Sequence, residues 1–187
     1  MFQIRIHGRG GQGAVSAAQI ISVAAFYQDK YSMAFPSFGS ERAGAPVTAY
    51  VRIDDHDIEL REPVLDPDFL IVQDSTLFRG VDVFSGLKPD GRLLINSTRS
   101  AEELGVGDAV RDLPLGHVVS LPATELALKH IRRPKPNIVL MGGFAAMTGM
   151  LELDAMDKAI MDKFPGQLGE ANVRAARAAY ETVLEAA

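Results

Sequence analysis

The chain has 187 residues, of which 47% are hydrophobic and 23% are charged, and its formal net charge is −5. This length and composition favour a single globular domain over 1–187, and the acidic balance argues against a nucleic-acid partner. Because the sequence contains no cysteine, disulfides, a cysteine nucleophile and cysteine-held iron–sulfur or zinc sites are excluded within this chain.

The first third of the sequence predicts a strand, a helix and a hairpin. Apolar and polar residues alternate over 2–7, the period of a strand, and apolar residues recur at helical spacing over about 13–27. Proline, glycine and serine interrupt residues 32–46, which we expect to form a long irregular loop. Two short β-like runs at 47–53 and 57–60, separated by a polar turn, indicate a β-hairpin.

The middle of the chain predicts parallel strands. Residues 68–74 and 91–96 are continuous apolar runs that end in polar residues, which is typical of strands buried on both faces of a sheet. The segment 75–87 between them suits a crossover helix. A further short strand is predicted at 117–122, followed by a helix around 123–131.

The C-terminal part predicts helices. Asn137 is placed to cap a helix that runs to about Leu153, and two more helices are expected at 154–163 and 167–186. These elements together predict a layered α/β/α domain with a mixed, largely parallel sheet and a helical C-terminus. On the last helix, two ion pairs are expected at i,i+4 spacing: Glu170 with Arg174, and Arg177 with Glu181.

A glycine-rich loop, GRGGQG at 8–13, joins the first strand to the first helix. It fits the G-x-G-x-x-G pattern, in which glycines let the backbone approach an anion at the positive end of a helix. The rest of a dinucleotide fingerprint is missing, because no second buried strand ends in an acidic residue about 20 positions later. Three interpretations stay open: a tight turn without a ligand, a dinucleotide site, and a backbone that faces a ligand in a larger enzyme.

Two motifs together carry a resemblance to a known family. The stretch IRIHGRGGQGAVSAAQIIS, followed by PSFGSERAGAPVTAYVRI, resembles the gamma subunit of 2-oxoacid:acceptor oxidoreductases. These include the pyruvate:ferredoxin and 2-ketoisovalerate:ferredoxin enzymes and phenylglyoxylate dehydrogenase. The resemblance implies oxidative decarboxylation of a 2-oxoacid with coenzyme A, using thiamine diphosphate and [4Fe–4S] clusters. It also implies alpha, beta and ferredoxin-like delta subunits as partners, with ferredoxin or an NAD-linked acceptor for the electrons.

The chain is expected to bind none of these cofactors by itself, since it lacks cysteine and the Gly-Asp-Gly start of a thiamine motif. Under the resemblance it shapes or covers an active site whose catalytic residues and metals belong to partners. Two alternatives are a stand-alone nucleotide-binding module and a purely structural scaffold. The residues expected to face substrate or cofactor are Gly8, Gly10, Gly11, Gln12, Gly13, Ser40, Glu41, Arg42 and Gly44.

Several of these side chains have two possible roles. Arg42 can pair with a carboxylate or phosphate, or with Glu41 to organise the loop or a subunit surface. Gln12 can donate to a ligand or stabilise its own loop. We expect His7 to be a structural hydrogen-bonding residue and not a base. Asp74 follows a buried strand, where ligands gather, but helix capping is its commoner use.

A basic run at 129–135 stands out in this acidic chain, and it could attract coenzyme A phosphates or an acidic partner, or be plain solvated surface. Gly142 and Gly143 within a helical segment indicate close packing. The four histidines show no metal-ligand spacing. With no long apolar run and an N-terminus interrupted by charged residues, we expect a cytoplasmic protein without a membrane partner.

Overall fold

A computed structural model describes residues 1–37 and 43–186. Its strands are β1 (Phe2–Arg9), β2 (Tyr31–Pro36), β3 (Pro46–Asp54), β4 (Phe69–Val72), β5 (Arg92–Asn96) and β6 (Val118–Leu121). They form one sheet in the order β2-β3-β1-β4-β5-β6. Strands β1, β4, β5 and β6 are parallel, whereas β3 is antiparallel to both β1 and β2. The predicted mixed, largely parallel sheet is confirmed.

Helices cover the two faces of this sheet unequally. The α-helices are α1 (Ala14–Phe26), α2 (Gly107–Val110), α3 (Ala123–Ile131), α4 (Asn137–Thr148), α5 (Leu153–Lys163) and α6 (Gln167–Ala186). Helices α1, α3, α4, α5 and α6 pack on one face, while α2 and a 3-10 helix at Ser75–Arg79 lie on the other. The α/β class and the helical C-terminus are confirmed. Among the described residues, no helix combines the length and apolar character needed to cross a membrane.

Burial on both faces explains the continuous apolar runs. In β4, Phe69 and Ile71 belong to the larger core under the five helices, and Leu70 and Val72 belong to the smaller core on the opposite face. The Phe69 ring meets Phe144 of α4 edge to face, with centroids 4.9 Å apart. A central strand of this kind is buried on both faces, so its sequence does not alternate between apolar and polar residues.

The prediction of an irregular loop is wrong for residues 32–36, and the prediction of a strand at 57–60 is also wrong; residues 38–42 of the predicted loop lie outside the described residues. Tyr31–Pro36 forms the edge strand β2, which pairs antiparallel with β3, and residues 57–60 form no strand. The partner of β3 in a hairpin-like pair is thus the segment before it and not the one after it. The sequence signal was weak because an edge strand is half-buried and tolerates a terminal proline such as Pro36.

The predicted crossover helix at 75–87 is also wrong. After β4 the chain makes only the 3-10 helix and a series of turns before β5. Gly86 has a φ of +71°, and a Cβ built there would lie 2.0 Å from the carbonyl oxygen of Leu65. The segment is therefore shaped by close contact with the loop before β4, which helical periodicity does not record.

Helix α4 begins and ends differently from the prediction. Asn137 is its first residue and does not cap it; its side-chain Nδ2 instead donates to the carbonyl oxygen of Gly13, 3.3 Å away. The helix ends at Thr148, where Gly149 adopts a left-handed conformation with a φ of +63°, and does not continue to Leu153. A glycine in this conformation is a usual helix C-terminus.

Close packing at the two central glycines of α4 is confirmed. A Cβ on Gly142 would lie 1.9 Å from the backbone carbonyl oxygen of Ala176 in α6, and a Cβ on Gly143 would meet Leu94 of β5. On α6 itself, the expected ion pair of Glu170 with Arg174 is present at 4.0 Å. Arg177 does not follow the prediction, because it pairs with Asp157 of α5.

Candidate functional site

The glycine loop lies at a switch point of the sheet. From β1 the chain passes through α1 to β2 on one side, whereas from β4, the parallel neighbour of β1, it passes to β5 on the other side. The two connections leave on opposite faces, so a crevice opens at the carboxyl ends of β1 and β4. Ligands of open α/β sheets bind at such crevices. This location makes residues 8–13 and Asp74 the candidate site.

The backbone of the glycine loop is joined to the middle of the second motif, at Gly44 and Ala45. The amide of Gly10 donates to the carbonyl oxygen of Ala45 at 2.9 Å, and the amide of Gly44 donates to that of Gly10 at 3.1 Å. The side chain of Arg9 also donates to the Gly44 carbonyl oxygen at 3.0 Å. Two motifs separated by about 30 residues therefore meet. The predicted site residues Ser40, Glu41 and Arg42 lie outside the described residues.

Gln12 stabilises its own loop. Its Oε1 accepts a hydrogen bond from the backbone amide of Arg9 at 2.7 Å, and its Nε2 donates to Oδ2 of Asp74 at 2.9 Å. The guanidinium of Arg9 lies 3.2 Å from the same carboxylate oxygen. Both ends of the Gln12 amide are engaged within the protein, which agrees with the loop-stabilising interpretation, while contact of Gln12 with substrate or cofactor stays a prediction.

Asp74 both caps a helix and anchors the glycine loop. Its Oδ1 accepts from the backbone amide of Thr76 at 3.0 Å, which caps the 3-10 helix as expected. Burial alone would raise the pKa of Asp74, but hydrogen bonds from Thr76 and Gln12 and the charge of Arg9 outweigh it and place the pKa below its ordinary value. The carboxylate is therefore ionised at neutral pH and holds Arg9 and Gln12 in place.

Helix α1 presents an open N-terminus at this site. Gly13 precedes the helix with a φ of +81° and provides no capping side chain, and the first turn of α1 contains no acidic residue. The first intrahelical bond runs from Ala17 to the Gly13 carbonyl oxygen, which leaves the amides of the first turn directed out of the helix. Such a positive end attracts a negatively charged group.

Gln73 is a buried polar residue at this edge of the sheet that was not predicted from the sequence. Its side chain is 1% exposed, and neither amide atom has a hydrogen-bond partner among the described residues. A Cβ on Gly8 would lie 2.6 Å from Gln73 Oε1, so the amide lies directly against the glycine loop. The only sequence signal was a glutamine between a buried strand and Asp74. An unpaired buried amide is costly, which makes Gln73 a candidate contact for a group at this edge.

His7 lies on the face of β1 opposite α1, where it is a structural hydrogen-bonding residue. Its Nε2 accepts a hydrogen bond from Nε of Arg5 at 3.0 Å, and both side chains are buried. Burial, together with the charge of Arg5, lowers the pKa of His7 to about 3. The imidazole is neutral at physiological pH. The hydrogen bond with Arg5 confirms that His7 is a structural hydrogen-bonding residue, as expected.

Comparison with known proteins identifies the family. Residues 3–182 match the family model described as pyruvate ferredoxin/flavodoxin oxidoreductase. The chain belongs to this family. It is 47% identical over 186 residues to the pyruvate synthase subunit PorC of Methanocaldococcus jannaschii, covering 99% of this chain and 98% of that one. It is 44% identical over 181 residues to the pyruvate/ketoisovalerate oxidoreductases common subunit gamma of Pyrococcus furiosus, covering 97% and 96%.

A solved structure supports the same assignment. The pyruvate oxidoreductase subunit PORC of Thermotoga maritima superposes with a TM-score of 0.81 at 38% identity, over 96% of this chain and 95% of that one. The resemblance found in the two motifs is therefore confirmed. As a gamma-type chain of the pyruvate ferredoxin/flavodoxin oxidoreductase family, the protein is a subunit of an oxidoreductase complex.

In this gamma-type chain, those predicted site residues that the structure describes lie together. Gly8, Gly10, Gly11, Gln12, Gly13 and Gly44 are all in or beside the glycine loop. The cavity of about 550 Å³ between α1, β2 and α5 is lined by other residues. Within residues 1–37 and 43–186, no three histidine, aspartate or glutamate side chains are grouped to hold a metal ion.

The burial of neutral His7 predicts how stability depends on pH. The unfolded histidine titrates near pH 6.5, but the folded one only near 3, so between these values the unfolded chain binds one proton more. The free energy of unfolding should therefore decrease on acidification below about pH 6.5, by up to about 1.4 kcal/mol per pH unit from this group. Urea unfolding at pH 7, 6 and 5 measures the slope.

The control for this prediction is His7→Gln, which retains an acceptor for Arg5 and does not titrate. The variant should lose the part of the slope that His7 contributes. Equal pH slopes for the two proteins would contradict the assignment of the proton to His7.

Proposed function

We propose that the chain is the gamma subunit of a multi-subunit, cytoplasmic 2-oxoacid oxidoreductase, and that residues 1–187 act as one domain in it. The reaction converts a 2-oxoacid and coenzyme A to an acyl-CoA, carbon dioxide, a proton and two electrons, which pass to ferredoxin or an NAD-linked acceptor. The names of the relatives support pyruvate or 2-ketoisovalerate as the 2-oxoacid. Phenylglyoxylate is a less supported member of the same substrate class.

The cofactors of the reaction belong to other subunits in this proposal. Thiamine diphosphate supplies the carbanion chemistry and [4Fe–4S] clusters carry the electrons when they are bound in the alpha, beta and ferredoxin-like delta subunits. The gamma chain has no cysteine for a cluster, and its described residues include no metal-ligand group. Its own task is to shape and cover the active site.

The observation that carries the proposal is the hydrogen-bonded junction between the glycine loop and the second motif. Gly10 exchanges backbone bonds with Gly44 and Ala45 beside the open N-terminus of α1. The junction itself thus lies at an edge of the sheet that suits anionic groups. The substrates offer such groups, namely the carboxylate of the 2-oxoacid and the phosphates of coenzyme A. We propose that Ser40, Glu41 and Arg42 contribute to the same surface.

A second candidate role is assembly without ligand contact. It is favoured by the observation that the Gln12 amide and Arg9 are both engaged within the protein. In that case the junction is a rigid surface against a catalytic subunit. A stand-alone nucleotide module is less well supported, because β2 is an antiparallel edge strand and not the second parallel strand that a dinucleotide fold requires.

Replacing Gly13 by alanine in the assembled complex tests the ligand-facing role. Alanine is strained at a φ of +81°, and its Cβ would lie 2.5 Å from Asn137 Nδ2, so the loop and the start of α1 must shift. We expect kcat/KM for the 2-oxoacid or coenzyme A to fall about tenfold to a hundredfold. Steady-state kinetics on complexes of verified composition measures this.

The matched control is Gly149→Ala, which has a similar positive φ at the far end of α4 and no atom within 4 Å of the new Cβ. It should cost stability but leave the kinetics of the complex unchanged. Wild-type kinetics with normal assembly in Gly13→Ala would exclude the ligand-facing role. Impaired assembly with unchanged KM and kcat in the surviving complex would favour the scaffold.

A further inference from the structure

The basic stretch, residues 129–135, is an exposed positive surface at the end of α3 and in the loop before α4. The side chains of Lys129, Arg132, Arg133 and Lys135 are all exposed. These four are a substantial share of the chain's 19 lysines and arginines, and the formal net charge of the whole chain is −5. The remaining surface is correspondingly more acidic, so charge is distributed unevenly over the molecule.

Few acidic groups oppose this surface. The sequence contains no aspartate or glutamate between Glu125 and Glu152. Among the described residues, no carboxylate lies within 4 Å of the four cations, since the ion pairs found involve other side chains. Glu125, one turn before Lys129 on α3, is the nearest acidic residue along the helix.

A neighbouring helix extends the positive surface. Helix α6, which carries Arg174, packs against α3. Partial burial, together with the charges of Lys129 and Arg174, lowers the pKa of His130. Arg174 has Glu170 as a distant partner at 4.0 Å. Cations from α3, from the loop and from α6 therefore share one region of the surface.

The fold itself explains only part of this charge. Lys129 and His130 lie in the last turn of α3, where cations complement the helix dipole. Arg133 and Lys135 lie beyond the helix and gain nothing from it. Arg132 ends the helix at a φ of +59°, a conformation that a non-glycine residue adopts at some cost. Three cations thus remain without an internal role.

The chemistry of the surface favours an acidic protein partner. A nucleic acid is disfavoured because the rest of the chain is acidic and would repel a polyanion. An electron carrier must approach a cluster, and this chain has no cysteine to hold one. A phosphate ligand would need a concave site, whereas the four side chains are exposed on a helix end and a loop.

We propose that the basic stretch docks on an acidic face of another subunit of the same complex. The proposal rests on the function proposed above. Pro136 and Asn137 follow the stretch directly, and Asn137 contacts Gly13, so docking also fixes the start of α4 beside the glycine loop. The interface therefore couples subunit assembly to the geometry of the candidate site.

Neutralising the stretch tests the docking. The variant carries Lys129→Gln, Arg132→Asn, Arg133→Gln and Lys135→Gln, with asparagine chosen because it tolerates the left-handed conformation. The control removes four exposed cations elsewhere, by Arg61→Gln, Arg79→Gln, Arg99→Gln and Arg111→Gln. Each gamma chain is co-expressed with the other subunits, and dissociation is followed by sedimentation at increasing NaCl concentration.

We expect the association of the stretch variant to weaken about tenfold to a hundredfold at 0.1 M salt, and the control to dissociate like the wild type. The difference should shrink at high salt. Identical salt profiles for the stretch variant and the wild type would overturn the proposal while leaving the proposed function intact. Failure of the wild-type chain to associate with the other subunits would overturn both.

A zero-length carbodiimide cross-link identifies the partner. The reagent joins lysine amines directly to carboxylates, so Lys129 or Lys135 should link to aspartate or glutamate of a sibling subunit in the intact complex. Cross-links confined to the gamma chain would contradict the docking. A raised KM for ferredoxin, with viologen-dependent activity and assembly unchanged, would show instead that the stretch binds the electron carrier and would also contradict it.

Discussion

Replacing Arg5 by methionine is expected to lower the free energy of unfolding by about 3–5 kcal/mol. The guanidinium is buried on the face of the sheet opposite α1, and methionine retains much of its apolar length but none of its donors. Burial lowers the pKa of Arg5, an effect that Tyr50, Asp82 and Asp66 oppose. Its NH groups donate to the carbonyl oxygens of Val64, Leu65, Val83 and Ser85.

The loss is large because the acceptors are themselves buried or partly buried. Without Arg5 these carbonyl groups and the acceptor nitrogen of His7 lose their donor, and the loops before β4 and before β5 lose their common attachment to β1. Urea unfolding followed by circular dichroism measures the change.

Arg52→Met is the matched control. Arg52 is also buried, at 2% exposure, but among the described residues its side chain donates only to Gln3 and to the carbonyl oxygen of Leu60. We expect a loss of about 1–3 kcal/mol for this variant. If Arg5→Met were no more destabilising than Arg52→Met, the multiple carbonyl contacts would not be the source of the stability.

Replacing Gly142 by alanine is expected to destabilise the protein by about 3 kcal/mol or more, or to prevent folding. The new Cβ would lie 1.9 Å from the backbone carbonyl oxygen of Ala176, so α4 and α6 must separate. Helix propensity alone predicts the opposite sign, because alanine is better than glycine inside a helix by about 1 kcal/mol. The sign of the effect in thermal unfolding therefore decides which factor dominates.

Two other glycines, Gly143 and Gly80, provide controls for this substitution. At Gly143 a Cβ would lie 2.9 Å from a methyl group of Leu94, which can move, so Gly143→Ala should cost about 1–2 kcal/mol. At Gly80 no atom lies within 4 Å, and alanine should be nearly neutral. A melting temperature for Gly142→Ala at or above that of the wild type would contradict the close contact.

Local sequence patterns suffice for several elements of this fold. The strand at 2–7, the helix over about 13–27 and the helix around 123–131 were predictable, because each element buries one face or both faces throughout its length. The strands β4 and β5 were predictable for the same reason. Burial along a single element leaves a periodic record in its own residues.

Local patterns failed where a segment depends on distant residues. The strand β2 is held by pairing with β3, and the segment 75–87 is shaped by contact with Leu65. Neither partner is visible in the periodicity of the segment itself. The same reason explains why Gln73 was overlooked and why the cap expected at Asn137 became a contact to Gly13.

The sequence by itself determined that any cluster chemistry lies outside this chain, because it contains no cysteine, and its two glycine-containing motifs indicated the family. The tertiary structure alone decided that the two motifs meet, through the backbone bonds of Gly10 to Gly44 and Ala45. It also decided the role of Arg5, whose carbonyl acceptors lie 59 to 80 residues away in the chain. Residue chemistry is a property of the sequence, but a buried polar group is satisfied by partners that only the folded chain brings within hydrogen-bond distance.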